Sequence, residues 1–143
     1  MTTLDLETAR TIVAATRAHG REAGFKPLTV VVLDPGGHVV AVEREDGASM
    51  SRFEIGYGKA HGALALGMGS RSIMGRAEQQ AYFVAAVTHA VGGALVPVPG
   101  GVLVRDADGT LLGAVGVTGD TSDHDEAAAV AGIESAGLTA QAD

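Results

Sequence analysis

The stretch Val30-Val31-Val32-Leu33-Asp34-Pro35-Gly36-Gly37-His38-Val39-Val40-Ala41 decides the fold. Two β-branched runs flank an Asp-Pro-Gly-Gly step. Asp supplies a side-chain acceptor, Pro a fixed φ, and Gly a residue free to take positive φ. The reading is a hairpin of strands at 28–33 and 38–43. A second glycine step, Pro99-Gly100-Gly101-Val102-Leu103-Val104, places bare backbone where a strand begins. Such a position permits close approach by another group.

Working outward, Asp5 caps a helix that ends at Gly20 and Gly24, with Pro27 beyond it. Leu6, Ala9, Ile12, Val13 and Thr16 form its apolar stripe. Residues 51–66 return to helical spacing, with Phe53, Tyr57, Ala60 and Leu64 on one stripe. Gly56, Gly58 and Gly62 on that helix point to tight packing against the sheet. Gly67-Met68-Gly69-Ser70 breaks it. Residues 72–88 form one or two helices. Strands follow at 95–98, 102–105 and 111–118, the last two joined by the Asp106-Ala107-Asp108-Gly109 turn. Residues 122–135 form the final helix, capped by Thr121 or Ser122, and 136–143 are expected to fray. The order α-β-β-α-α-β-β-β-α lacks βαβ alternation. It predicts an α/β (α+β) domain with a five-stranded antiparallel sheet flanked by helices.

The chain has 143 residues, no cysteine and a formal charge of −7. The acidic balance argues against nucleic acid, which needs a basic footprint, and against anionic membrane surfaces. The absence of cysteine removes disulfides, thiolate metal sites and a Cys nucleophile. No apolar run approaches the ~18 residues of a membrane span. The N-terminus lacks the basic and apolar regions of a secretory signal, so a cytoplasmic protein is the expectation. Only Phe25, Phe53, Tyr57, Tyr82 and Phe83 are aromatic. Small side chains bury little area each, so a homo-oligomer is expected to add burial.

Several fragments in order carry a resemblance: Leu6-Glu7-Thr8-Ala9, Leu33-Asp34-Pro35-Gly36-Gly37-His38-Val39-Val40-Ala41, Arg44-Glu45-Asp46-Gly47-Ala48, Lys59-Ala60, Pro99-Gly100-Gly101, Gly113-Ala114-Val115-Gly116-Val117-Thr118-Gly119 and Asp125-Glu126. Together they resemble the GlcG/HbpS-like family of small haem-binding, haem-degrading proteins, over about residues 4–133. The resemblance implies one profilin-like α/β/α sandwich over 1–143, and haem or a related tetrapyrrole as ligand. Leu103 departs from a proline common in that family. Leu66-Gly67-Met68-Gly69 replaces a Phe-Gly-Arg-Pro step. Both departures are expected at the pocket wall.

Histidine is the natural haem ligand. His19, His38 and His61 are the candidates. Each also has a plain alternative: a helix end, a strand start and a helix face. His89 reads as a solvated helix end, and His124 as part of an acidic helix start between Asp123 and Asp125. No His-x-x-x-His pair exists, so no metal site is expected. Lys59, a lone lysine on a Gly- and Ala-rich helix, is a candidate anion anchor or base. The Gly100 and Gly101 amides are candidate oxyanion donors. Asp125 and Asp34 are candidate acid/base groups. Arg44 is either a ligand-facing cation or the partner of Asp46 in an ion pair that orders the turn. Two functions stay open. One is a haem-binding protein with haem-degrading activity. The other is a cofactor-free enzyme moving protons on a small oxygenated metabolite, by isomerisation, hydration or cyclisation, with Lys59 and Gly100-Gly101 in its pocket.

Overall fold

A computed structural model describes residues 4–143. Helix α1 (Leu6–Ala23) begins where Asp5 accepts the Thr8 amide through its side chain at 2.8 Å. It ends at Gly24, φ 75°, whose left-handed backbone turns the chain toward Phe25. Ala9, Ile12, Val13 and Thr16 are buried, as the stripe predicts, whereas Leu6 in the first turn is 55% exposed.

Strands β1 (Thr29–Leu33) and β2 (Val39–Arg44) form the expected hairpin. β3 (Gly101–Arg105) and β4 (Leu111–Thr118) form a second. The sheet order is β2-β1-β4-β3-β5, antiparallel throughout. β1, β3 and β4 are buried on both faces, so they read as unbroken apolar runs rather than alternating ones. Val30, Val32, Val115 and Val117 face α1 and α5 (Ser122–Ser135). Val31, Leu33, Leu103 and Ala114 face Ala60 and Ala63 of α2 (Arg52–Leu66). The result is the expected five-stranded sheet with helices on both faces.

α2 lies close to the sheet because Gly56 and Gly116 meet without side chains: a Cβ on Gly116 would collide with the Gly56 carbonyl oxygen. Gly58 and Gly62 back instead onto Val96 and Leu95. The expected 72–88 helix is two, α3 (Ser70–Gln79) and α4 (Ala81–Ala90), which build a small separate cluster around Ile73, Val84 and Leu95.

Two expectations are corrected. Residues 95–98 form no strand. Pro97 and Pro99 carry no amide hydrogen for a ladder, and Val96 donates to the Gly58 carbonyl of α2 at 3.1 Å. The fifth strand is β5 (Thr139–Gln141), inside the segment expected to fray. It pairs with β3, and the Gly69 amide holds the Asp143 backbone oxygen at 2.8 Å. No helix among the described residues is long and apolar enough to cross a membrane.

Candidate functional site

Lys59 and Asp125 are 66 residues apart in sequence and meet in the layer between α2, β4 and α5. The Lys59 side chain turns inward beneath the sheet end, and both side chains are 2% exposed. Lys59 Nζ donates to the Val117 carbonyl at 2.9 Å and to Asp125 Oδ2 at 3.1 Å. Asp125 Oδ1 accepts the Asp120 amide at 2.9 Å. Burial pushes the Lys59 ammonium down and the Asp125 carboxyl up, and their mutual attraction opposes both changes.

Gly100 and Gly101 close over this lysine. A Cβ on Gly100 would sit 2.8 Å from Lys59 Nζ, and one on Gly101 would strike the Lys59 carbonyl. Two of their polar groups are engaged within the protein. The Gly101 amide donates to Ser70 Oγ at 2.7 Å, and the Gly100 carbonyl accepts the Val117 amide at 2.9 Å. The structure thus brings Lys59, Asp125, Gly100 and Gly101 together as a buried, internally bonded knot. The Gly101 amide is already spent on Ser70, so it offers no oxyanion donor in this conformation.

Asp34 lies apart from that knot. Its Oδ1 accepts the amides of Gly36 at 2.9 Å and His38 at 3.0 Å, and it meets His38 Nδ1 at 3.3 Å. It is built as the brace of the hairpin turn. His38 is 82% exposed on that turn. Arg44 makes no pair with Asp46 and donates instead to the Ala48 carbonyl at 2.8 Å. Leu103 is fully buried in the α2-facing core, and Met68 packs in the α3–α4 cluster. Both departures therefore sit in packed layers rather than in a pocket wall.

His61 holds its Nδ1 2.9 Å from the Ala94 carbonyl and stacks on Tyr57 at 5.3 Å. It lines a cleft of about 150 Å3 beside Gly36 and Gly37. His19 lines a larger cleft, about 330 Å3, with Glu22 and Ala23. Its ring meets Phe25 edge-on at 5.7 Å. The phenyl ring of Phe25 also stacks on His124, 4.4 Å away and 6° from parallel. His124 Nδ1 lies 2.6 Å from Asp120 Oδ1. Asp120 further accepts the Lys26 amide at 2.7 Å and the Thr121 amide at 2.8 Å. The Lys26 and Thr121 amides and the His124 ring hold its carboxyl down at about 2.

Sequence reasoning missed Phe25, Asp120 and Ser70 and read His124 only with its chain neighbours Asp123 and Asp125, between which it lies in the first turn of α5. Its partner is Asp120, four residues back across the α5 start. That spacing is the one local signal that could have found it. No group of three or more His, Asp or Glu side chains suited to a metal ion occurs among the described residues.

A family model described as "Haem degrading protein HbpS-like" matches residues 4–134. No curated protein sequence matches significantly. Among solved structures, HbpS has a TM-score of 0.78 at 28% identity, covering 92% of this chain and 89% of that one. The Klebsiella pneumoniae protein ORFY has a TM-score of 0.84 at 26% identity, covering 96% and 92%. A PduOC–haem complex has a TM-score of 0.83 at 20% identity, covering 95% and 96%, a likeness of fold alone. With most of its length matched from the first turn of α1 to the last turn of α5, the chain belongs to the HbpS-like family of haem-degrading proteins.

Proposed function

We propose that the chain binds haem or a related tetrapyrrole on the surface between the end of α1 and the start of α5. The observation that carries this is the His19–Phe25–His124 cluster: two imidazoles around one phenyl ring, beside an open cleft. The donor chemistry suits the group. Imidazole is a natural axial ligand, and a ligating histidine characteristically donates its second ring nitrogen to a carboxylate. His124 has such a carboxylate in Asp120 and is half exposed. Phe25, half-buried against the core, lies parallel to the His124 ring and sets the plane of that imidazole. Bound there, haem iron would supply the redox chemistry, while the protein's residues bind and orient it. The buried Lys59–Asp125 pair is assigned to the scaffold, because its polar atoms already satisfy one another.

The test is a haemin titration followed by absorbance on wild type, H19A, H124A and H38A, beside native mass spectrometry. A saturable Soret shift is expected in wild type and H38A. At least one of H19A and H124A should bind about tenfold more weakly, which is ~1.4 kcal/mol. Loss of Soret absorbance under a reductant would read the degrading activity in the same cuvette. No shift in wild type refutes the proposal.

A further inference from the structure

Two imidazoles flank Phe25, and the structure distinguishes them. Among the described residues no carboxylate pairs with His19. The His124 ring is fixed on two sides. Phe25 lies parallel to it and sets its plane. Asp120 Oδ1 meets its Nδ1 at 2.6 Å. Asp120 itself cannot swing away cheaply. Its two carboxylate oxygens accept the amides of Lys26, in the segment leading to β1, and of Thr121, the α5 cap. Its own amide is held by Asp125, and Asp125 by Lys59. A chain of contacts thus runs from the buried ion pair to a surface imidazole.

A carboxylate oxygen at this distance from Nδ1 needs a proton between them. The neutral ring then carries its hydrogen on Nδ1 and its lone pair on Nε2. We infer that Asp120 is a positioning residue: it holds His124 as the Nδ1–H tautomer and so makes Nε2 of His124, rather than His19, the nitrogen that ligates the tetrapyrrole iron. This rests on the tetrapyrrole reading above. Asp120 touches no ligand itself and acts through the ring. A carboxylate behind an imidazole raises its basicity and with it the strength of the metal bond.

The experiment has two readouts on wild type, D120A and D120N. The first needs no haem: long-range proton–nitrogen NMR of the histidine rings in the ligand-free protein. Wild-type His124 should show a protonated Nδ1 and a lone-pair Nε2, and D120A should lose that preference. The second is haemin affinity and reduction potential. Removing the carboxylate should weaken binding about 10–100-fold and raise the potential of the complex. D120N, which keeps an oxygen acceptor without the charge, should fall between in affinity and also raise the potential. Circular dichroism confirms that each variant is folded, and D120N serves if D120A is not. If wild type binds haemin and D120A binds within twofold at an unchanged potential, the inference fails alone. H124A binding as wild type while H19A does not would also refute it and leave the tetrapyrrole reading intact. No Soret shift in wild type overturns both.

Discussion

Replacing Lys59 by methionine tests the scaffold directly. Methionine matches the length of the lysine stem and adapts to irregular space, so packing is largely kept while the charge and its donors vanish. Two acceptors lose their partner in a layer where Lys59 and Asp125 are each 2% exposed: Asp125 Oδ2 and the Val117 carbonyl. Removing one partner of a buried ion pair costs about 3–5 kcal/mol. Orphaning a buried acceptor costs about 1–3 kcal/mol, more when it is charged, so the two routes agree. For a chain near this size each kcal/mol moves Tm by about 2–4 °C, giving a drop of about 6–20 °C. A cost of that size is a large share of the about 5–15 kcal/mol of a whole domain. Urea unfolding by circular dichroism at matched slopes measures it, with K59M, D125L and the double variant forming a cycle. The double variant should lie well above the sum of the singles, because no lone charge is left buried. Acid provides a further check of sign. The folded-state carboxyl of Asp125 is raised above its ordinary 3.8 by burial. A raised group contributes stability that is fully present below 3.8 and lost as pH rises through the folded value. Without Lys59 that rise is larger, so the K59M deficit should shrink on acidification. A K59M cost under about 1 kcal/mol, or additive singles, would refute the reading.

Gly101→Ala should cost about 1–3 kcal/mol or more, because the new Cβ meets the Lys59 backbone rather than a side chain that can yield. Gly75→Ala on α3 meets nothing within 4 Å, so it should gain about 0.5–1 kcal/mol. Paired thermal melts check both, and equal melting temperatures would contradict the close approach of β3 to α2. Asp34 gives a second pH test. Burial raises its carboxyl, but the His38 and Gly36 amides and the His38 ring outweigh it, leaving it below 3.8. A lowered group contributes stability present above 3.8 and lost as pH falls through the folded value. Unfolding curves from pH 5 to pH 2 should therefore flatten in D34N relative to wild type, and parallel curves would show that Asp34 does not brace the turn.

The parts of the fold legible in the sequence are those whose signals are local. Asp5 and Thr121 cap helices through side chains three residues from the amides they accept. The Asp34 turn and the Asp106 turn are likewise built from neighbours. Residues 95–98 misled because β-branched composition outweighed two prolines in the reading. β5 was missed because three residues, Thr139 to Gln141, carry no periodicity, and their pairing exists only once β3 offers an edge. The candidate site divides the same way. Lys59 and Asp125 were singled out separately, but only the folded layers show that they form one pair. The Asp120–His124 contact was local enough to read, yet the flanking acids Asp123 and Asp125 drew attention from it. Asp123 pairs with Arg71 and Asp125 with Lys59, which leaves Asp120 to meet the ring.

The first turn of α5 carries a buried charge and an exposed imidazole side by side. Asp125 points inward and is consumed by Lys59, while its predecessor His124 points outward onto Phe25. Consecutive helical residues face different directions, so a one-residue step separates a structural charge from an exposed imidazole. The Asp120 backbone links the two, since its amide lies on Asp125 while its carboxylate lies on His124. A change at position 124 alters the exposed imidazole and leaves the hydrogen bonds of the buried pair in place. A change at 125 frees the Asp120 amide and loosens the surface from beneath. The buried pair therefore fixes, through the Asp120 backbone, where the exposed side chain at position 124 stands.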